Sequence, residues 1–231
     1  MNALVKALRP ARHVLLDFDG PVCSAFAGLP APEVTKRLQD FLAKEAPNAP
    51  IGSAAETDPF VILRSVADAH PSLIPTADSY LSQLEEVAVR VASPTPGAES
   101  LLRACQQTGR NVWVVSNNAG IAIRSYLTAH SLHDYVAEVF GRVPGDPSSM
   151  KPSTRLLDDA LQAADADPSE CVFIGDAVRD VEAGTAAGVA TIGYANKPHK
   201  SAKLAAAGAI AVTDSMAELA EAVTAAGPVG R

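Results

Sequence analysis

The feature that most constrains the fold is an apolar run that ends abruptly in charge. Residues 14–16 are apolar, Asp17 and Asp19 follow on either side of Phe18, and Gly20 comes next. When charged side chains directly follow a buried strand, they lie at an edge of the sheet, where they can bind a ligand. Because side chains alternate between the two faces of a strand, Asp17 and Asp19 are expected on the same side, opposite Phe18.

Two carboxylates this close repel each other, and a divalent cation offsets the repulsion most simply. Hard oxygen ligands suit Mg²⁺. Asp17 is then a candidate nucleophile, and Asp19 a candidate proton donor and acceptor. A strand followed by an ordinary acidic turn would contain the same residues, so this pair alone leaves both readings open.

The composition indicates a folded globular protein. Hydrophobic residues make up 48% of the 231 residues, which argues against disorder and allows one large domain or a core with a smaller insert. The formal net charge of -7 argues against nucleic acid or an anionic membrane as a partner, because both require a basic face. A phosphorylated small substrate stays compatible, since its site needs only local positive charge.

The cysteines and the apolar segments indicate the compartment. Cys23, Cys105 and Cys171 are far apart and show no paired or metal-binding spacing, which fits a reducing environment. The N-terminus carries no apolar stretch of signal length, and no segment reaches the ~18 apolar residues of a membrane span. We therefore expect a soluble, cytoplasmic protein without a membrane partner.

After residue 97 the sequence alternates between strand-like and helix-like segments. This alternation predicts a parallel sheet with helices on both faces and right-handed crossovers. In such sheets, ligands collect at the carboxyl ends of the strands. Counting the first strand, the predicted strands cover residues 12–18, 111–115, 136–140, 171–174, 189–192 and 210–212, and the predicted helices cover 98–107, 121–129, 153–164, 178–187 and 215–225.

The pattern between residues 23 and 96 differs, because prolines recur there and no β-rich run of strand length appears. We predict a helical insert at 23–96 within a core domain formed by 1–22 and 97–231. The two connections between the insert and the core would allow hinge motion. Within the insert, apolar residues follow helical spacing over 33–44, 58–69 and 77–91.

Polar residues also follow the second core strand and precede a later helix. Ser116 and Asn117 come directly after the strand at 111–115, where a hydroxyl and main-chain N–H groups could bind phosphate. Lys151 lies in the loop before the helix at 153–164, where an ammonium could pair with a carboxylate and a phosphate. Ordinary turn formers and a solvated lysine would explain the same residues.

A second pair of carboxylates follows another buried strand. Gly175 and Asp176 end that strand, and Asp180 comes four residues later, so both acids can face the same way at a helix start. Helix capping is the alternative role for Asp176, although capping requires neither the preceding glycine nor a second acid. Together, Asp17, Asp19 and Asp176 would supply oxygen ligands for one Mg²⁺.

These clusters, in this order, resemble the motifs of the haloacid dehalogenase (HAD) superfamily of hydrolases. Residues 17–20 resemble its first motif, Ser116 its second, Lys151 its third and residues 175–180 its fourth. The resemblance spans residues 12–192. It implies a doubly wound, Rossmann-like α/β core, and it identifies the helical insert after the first strand as a small cap domain of the family's first type.

The resemblance also implies a reaction. Asp17 would attack the substrate phosphorus and form an aspartyl-phosphate, while Asp19 would protonate the leaving oxygen and then activate water. Mg²⁺ would be held by the Asp17 carboxylate, the Asp19 main-chain carbonyl and Asp176. Gly20 completes the first motif as a supporting residue.

Further roles follow from the same resemblance. Ser116 and the Asn117 amide would bind phosphate, and Lys151 would offset charge on Asp17 and on the phosphoryl group. Asp180 would support the metal shell or orient Lys151. Phosphoryl transfer depends mainly on positioning and charge neutralisation, which these residues can provide.

Two positions depart from the family pattern. Pro21 stands where the family commonly has threonine, which removes one amide from the turn but spares the carboxylates. Lys151 follows a loop rich in proline, glycine and serine at residues 144–149, which affects its setting.

The leading prediction is a Mg²⁺-dependent phosphatase that hydrolyses a small phosphorylated metabolite. A phosphomutase on the same scaffold, which would isomerise a sugar phosphate, also uses Asp17 and Asp19 and stays open. A non-catalytic phosphoacceptor or binding protein is disfavoured by the large insert and by the pair Asp176 and Asp180. Dehalogenation is disfavoured by the acid at Asp19, which that chemistry lacks in the family.

Overall fold

The computed structural model describes residues 2–47, 52–53 and 55–230, and it shows an α/β fold. Within the described residues, two sheets are present, one of six parallel strands and one of two antiparallel strands. The strands are β1 (His13–Leu16), β2 (Cys23–Ser24), β3 (Ser93–Pro94), β4 (Asn111–Ala119), β5 (Glu138–Arg142), β6 (Cys171–Gly175), β7 (Ala190–Tyr194) and β8 (Ala211–Thr213).

The large sheet has the strand order β5-β4-β1-β6-β7-β8. The chain starts in the middle, moves to one edge through β4 and β5, and then crosses back to build the other edge. β1 therefore lies between β4 and β6, with Leu16 opposite Val114 on one side and Ile174 on the other. This topology confirms the predicted doubly wound core, and it places the ends of three strands side by side.

Helices cover both faces of this sheet, because successive residues of the central strands are apolar on both faces. Val14 and Leu16 pack in one cluster and Leu15 packs in another on the opposite face. Burial of one such side chain contributes roughly 1.5–3 kcal/mol, so the middle of the strand tolerates no charge. The helices are α1 (Ala3–Leu8), α2 (Ala31–Glu45), α3 (Pro59–Ala69), α4 (Ile74–Val89), α5 (Ala98–Gln107), α6 (Gly120–Ala129), α7 (Arg155–Ala164), α8 (Val178–Ala186), α9 (Lys200–Ala206) and α10 (Met216–Ala226).

Every strand and helix predicted for the core is present, with boundaries shifted by up to four residues. The largest shift is in β4, which continues through Ser116 and Asn117 to Ala119 instead of ending at residue 115. Two helices were not predicted, α1 and α9, which have only 6 and 7 residues. Segments this short carry too few apolar positions to show a helical period.

The insert, residues 23–96, contributes α2, α3 and α4, which lie within about three residues of the predicted helices. These helices share an apolar cluster separate from those of the sheet. At the base of the insert, β2 pairs with β3, and the Thr95 hydroxyl donates to the Gly20 carbonyl at 2.6 Å. The two connections therefore run side by side next to Gly20, and the division into core and cap domains stays a prediction.

None of the helices in the described part of the chain is long and apolar enough to cross a membrane.

Candidate active site

The predicted site residues lie together around one cavity at the carboxyl ends of β1, β4 and β6. The cavity is small, about 40 Å³, which is room for a few water molecules. It lies where neighbouring parallel strands end, as expected for a ligand site in this class of fold. Its lining consists of Asp17, Asp19, Phe60, Ser116, Asn117, Asn118, Lys151, Asp176, Ala177, Arg179 and Asp180.

Asp17 is fixed by the strands around it. Its main-chain N–H donates to the Ile174 carbonyl at 2.9 Å, which extends the pairing of β1 with β6 by one residue. Its Oδ1 accepts from the Phe18 N–H at 2.8 Å. Phe18 points the other way into the core, with its ring edge-on to Tyr126. The predicted alternation is therefore confirmed, since Asp17 and Asp19 line the cavity and Phe18 does not.

Lys151 is a buried ammonium between two carboxylates. Its Nζ lies 3.0 Å from Asp17 Oδ1 and 2.7 Å from Asp180 Oδ1. It also donates to the Val115 carbonyl at 3.0 Å, and the whole residue is only 1% exposed. A lysine with this burial and these partners is not a solvated surface residue, so the structure decides between the two readings of its position.

Asp180 serves both the lysine and its own helix. Its Oδ2 accepts from the Ala177 N–H at 2.9 Å at the start of α8, while Oδ1 faces Lys151. The capping considered for Asp176 is thus made by Asp180. Gly175 allows this approach, because a β-carbon there would lie 2.6 Å from Asp180 Oδ2.

Asp19 and Gly20 shape the turn after β1. Asp19 Oδ1 accepts from the Ala25 N–H at 2.9 Å, which ties the turn to the start of the insert. Gly20 has a φ of +108°, a conformation that side chains with a β-carbon rarely adopt. The turn is therefore specified by glycine and by the Asp19 carboxylate, and Pro21 does not prevent it.

Burial perturbs the charges of the site. It raises the pKa of Asp19 to about 6, with a smaller opposing effect from the Ala25 N–H. Burial also raises the pKa values of Asp17 and Asp176, although Lys151 opposes the shift at Asp17 and Lys200 opposes it at Asp176. Without a cation, burial thus favours the protonated form of these carboxyl groups.

The side chains of the predicted phosphate-binding residues, Ser116 and Asn117, have partners within the site, and their role stays a prediction. The Asn117 side chain accepts from the Lys151 N–H at 2.8 Å and donates to the Lys151 carbonyl at 3.2 Å, so it fixes the lysine's main chain. The Ser116 hydroxyl donates to Asn118 Oδ1 at 3.1 Å. Both residues line the cavity, but the side-chain amide of Asn117 is already engaged with Lys151.

The two residues that bind the Asp176 carboxylate, Lys200 and Asn196, were among those missed from the sequence. The Lys200 ammonium contacts Asp176 Oδ2, and Asn196 Nδ2 donates to the same oxygen at 2.8 Å. Asn196 follows β7, the strand beside β6, so a polar residue at that strand end was the available signal. Lys200 had none, because it belongs to the unpredicted helix α9.

A buried ion cluster joins the insert to this edge of the sheet and was also missed. Arg142, at the end of β5, lies 2.6 Å from Asp78 Oδ1 and 2.9 Å from Glu85 Oε2, both on α4. Arg142 also donates to the Asn117 carbonyl at 2.9 Å, and Glu85 accepts from the Asn118 side chain at 2.9 Å. Helix α4 therefore helps to hold the segment that lines the cavity.

The insert also contributes one wall of the cavity through Phe60. The guanidinium carbons of Arg142 and Arg179 lie 5.8 and 6.0 Å from the centre of its ring. Arg179 Nη1 is 3.2 Å from Asp58 Oδ2, and Arg64 Nη2 donates to the Lys151 carbonyl at 2.8 Å. Arginines thus lie on the side of the site that faces the insert.

The residues present fit a hard divalent cation. Carboxylate oxygens of Asp17, Asp176 and Asp180 lie within 4.8 Å of one another, and all three residues are buried. Carboxylate oxygens grouped in this way are the hard ligands that Mg²⁺ prefers. The Asp19 carboxylate does not belong to this group, so any part of Asp19 in metal binding falls to its main-chain carbonyl.

Comparison with known proteins supports the same reading. A model of the haloacid dehalogenase-like hydrolase family matches residues 11–188, which cover all four motifs. The chain is 29% identical over 188 residues to a phosphoglycolate phosphatase of Xylella fastidiosa, covering 77% of each protein. It is also 29% identical over 226 residues to a plasmid phosphoglycolate phosphatase of Cupriavidus necator, covering 91% of this chain and 92% of the relative.

Solved structures show the same fold. A predicted phosphatase from Clostridium acetobutylicum superposes with a TM-score of 0.72 over 93% of this chain and 99% of its own, at 17% identity. At this level of identity the likeness concerns the fold alone. The core and the insert are both included in the superposed length.

Proposed function

Because the chain belongs to the haloacid dehalogenase-like hydrolase family, we propose that it is a Mg²⁺-dependent phosphatase that hydrolyses a small phosphorylated metabolite. The observation that carries the proposal is the Lys151 ammonium between Asp17 and Asp180, at 3.0 and 2.7 Å, in a cavity that Asp19 also lines. This arrangement combines a positioned carboxylate nucleophile, a second carboxylate and a buried cation.

In the first step, one oxygen of Asp17 attacks the substrate phosphorus, and the bond from phosphorus to the leaving oxygen breaks. Oδ1 is engaged by the Phe18 N–H and Lys151, which leaves Oδ2 as the attacking atom. Asp19 gives its proton to the leaving oxygen, and a pKa raised to about 6 suits this role near neutral pH. The products of this step are the free alcohol and an aspartyl-phosphate on Asp17.

In the second step, water attacks the phosphorus of the aspartyl-phosphate. Asp19, now a carboxylate, accepts a proton from that water, and the bond between phosphorus and the Asp17 oxygen breaks. Inorganic phosphate leaves and both carboxyl groups return to their starting protonation. Lys151 stays beside Asp17 throughout and offsets the charge of the phosphoryl oxygens, as Ser116 does by hydrogen bonding.

Residues that would hold Mg²⁺ are Asp17, Asp176 and the main-chain carbonyl of Asp19, with Asp180 next to them. When bound, the cation neutralises charge on the phosphoryl group. Asn196 and Lys200 hold Asp176 in place for this task.

The cavity of about 40 Å³ is too small to admit a phosphate ester without movement of the insert. The insert covers the cavity through Phe60, and we propose that it acts as a cap that moves on the paired strands β2 and β3. Since the two relatives described above are named phosphoglycolate phosphatases, 2-phosphoglycolate is the first substrate to test.

The test is phosphate release from an aryl phosphate and from a panel of small phosphorylated metabolites, with Mg²⁺ or with a chelator. We expect Mg²⁺-dependent turnover that Asp17→Asn lowers by at least about 10³-fold, because an amide cannot act as the nucleophile. Asp40→Asn, at an exposed position on α2, is the matched control and should keep its rate. Absence of Mg²⁺-dependent release across the panel would contradict the proposal.

The phosphomutase alternative is distinguished in the same assay. It would convert one sugar phosphate into an isomer without net release of phosphate. Product analysis of sugar phosphates in the panel by NMR therefore separates the two reactions.

A further inference from the structure

We propose that Arg179 and Arg64 form a subsite for a second anionic group, so that the preferred substrates are small phosphate esters that also carry a carboxylate. This inference rests on the proposed phosphatase function and adds the substrate class. The phosphoryl group would lie near Asp17, and the carboxylate would lie towards Phe60 and the two guanidinium groups.

Arg179 brings positive charge directly to the cavity. It lies in the first turn of α8, next to Asp180, and it lines the cavity with Asp17 and Phe60. Its guanidinium pairs with Asp58 at 3.2 Å, yet 36% of its side chain stays exposed. One carboxylate partner at this distance leaves several of its five N–H donors for a ligand.

Arg64 lies beside Arg179 on the side of the insert. Arg64 is four residues after Phe60 on α3, so Arg64 and Phe60 share one face of that helix. It donates to the Lys151 carbonyl and forms no ion pair with a carboxylate of the described residues. Burial and the neighbouring charge of Arg179 lower the pKa of Arg64, and Asp58 opposes this shift. The two guanidinium groups therefore share a single carboxylate, that of Asp58.

Asp58 does not use all the donors of these two guanidinium groups. Its Oδ2 pairs with Arg179, and its Oδ1 accepts from the Phe60 N–H at 2.9 Å. In the proposed mechanism the charge of the phosphoryl group is offset near Asp17 by Lys151, and by Mg²⁺ when it is bound. The guanidinium donors that Asp58 leaves open can therefore bind a second anionic group of the substrate.

The distance from the nucleophile favours a short substrate. Arg179 and Asp17 line the same cavity, so a second anion at Arg179 would lie only a few atoms from a phosphorus at Asp17. Arginine binds a planar carboxylate through paired N–H donors in one plane. These features favour short phosphorylated carboxylic acids over phosphate esters without a second anion.

The experiment compares 2-phosphoglycolate with ethyl phosphate, which has the same two-carbon skeleton without the carboxylate. In Mg²⁺-loaded enzyme we expect kcat/KM to favour the carboxylated ester by about tenfold or more, because hydrogen bonds to charged groups contribute that much. Arg179→Gln and Arg64→Gln should each lower this ratio by about tenfold, and Arg179→Lys should restore part of it. Arg37→Gln, on the exposed face of α2, is the control and should leave the ratio unchanged.

A binding measurement separates this proposal from the proposed function. The same two esters are titrated by calorimetry into Asp17→Asn with Mg²⁺, which does not require turnover. If wild type hydrolyses neither ester but Asp17→Asn binds 2-phosphoglycolate more tightly in an arginine-dependent way, the subsite stands and the phosphatase fails. Equal preference for the two esters, or a ratio unchanged in both arginine variants, would overturn the subsite. Should Arg179→Gln not fold, Arg64→Gln carries the test.

Discussion

The main chain of Gly20 passes so close to Asp176 that a β-carbon at Gly20 would lie 2.6 Å from Asp176 Oδ2. No real β-carbon approaches an atom that closely, so the turn after β1 and the end of β6 fit together only through glycine. The two motifs that meet here are 156 positions apart in the sequence, counted as the difference between the two residue numbers.

Gly20→Ala is therefore expected to displace Asp176 and to weaken Mg²⁺ binding by at least about tenfold, which calorimetry would measure. Gly227→Ala is a matched control, because Gly227 also has a positive φ, +81°, but nothing within 4 Å of a β-carbon. Both variants carry backbone strain, and only the first carries the clash. Unchanged Mg²⁺ affinity in Gly20→Ala would show that Mg²⁺ binding does not depend on the placement of Asp176 against Gly20.

Asp19→Asn should affect poor leaving groups most. An alkyl alkoxide needs a proton as it leaves, whereas nitrophenolate leaves without one. We expect kcat/KM to fall by about 10²–10⁴-fold for an alkyl phosphate and by much less for p-nitrophenyl phosphate. Equal losses for both substrates would contradict the role of Asp19 as proton donor.

The same variant should slow hydrolysis of the aspartyl-phosphate, because it lacks the base that activates water. A burst of nitrophenol followed by slow turnover would report this in a stopped-flow trace. Wild type, with both steps assisted, serves as the reference.

Stabilisation by Mg²⁺ should depend on pH. Burial raises the pKa of Asp19 from 3.8 to about 6 and raises those of Asp17 and Asp176 as well. Between about pH 4 and pH 6 the metal-free folded chain then binds more protons than the unfolded chain, so these groups contribute stability at low pH that is lost as the pH rises. Mg²⁺ binds the ionised carboxylates in place of those protons, so it restores the stability that the metal-free protein loses at higher pH.

The Mg²⁺-induced rise in Tm should accordingly be small near pH 5 and larger by several degrees near pH 7.5, since 1 kcal/mol corresponds to roughly 2–4 °C in a chain of this size. Differential scanning calorimetry with Mg²⁺ or a chelator measures it at both pH values. In Asp17→Asn the pH dependence should be weaker. A rise in Tm that does not change with pH would argue against these carboxylates as the cation site.

Arg142→Met should destabilise the fold. It leaves Asp78 and Glu85 buried on α4 without their partner, and loss of one member of a buried ion cluster costs about 3–5 kcal/mol in the free energy of unfolding. Arg103→Met is the control, because Arg103 pairs with Glu99 on the surface, where such pairs contribute at most about 1 kcal/mol. Urea denaturation compares the two. Similar losses would show that the buried cluster adds nothing beyond a surface pair.

The sequence by itself determined the sheet, the strand ends and the carboxylates at those ends. Continuous apolar runs identified β1 and β6, and the acidic residues directly after them, Asp17 and Asp176, predicted the edge of the sheet at which they meet. This works because strand periodicity and strand ends are local properties, and because parallel strands bring their carboxyl ends to one side.

Only the tertiary structure decided which other groups reach that edge. Lys200 comes from a helix too short to show a period, and Arg142 meets Asp78 and Glu85 across more than 50 residues of chain. The Asn117 side chain accepts from the Lys151 N–H, a contact between residues 34 positions apart. Side-chain partners of this kind depend on how the insert packs against the sheet, and no local pattern in the sequence records that packing.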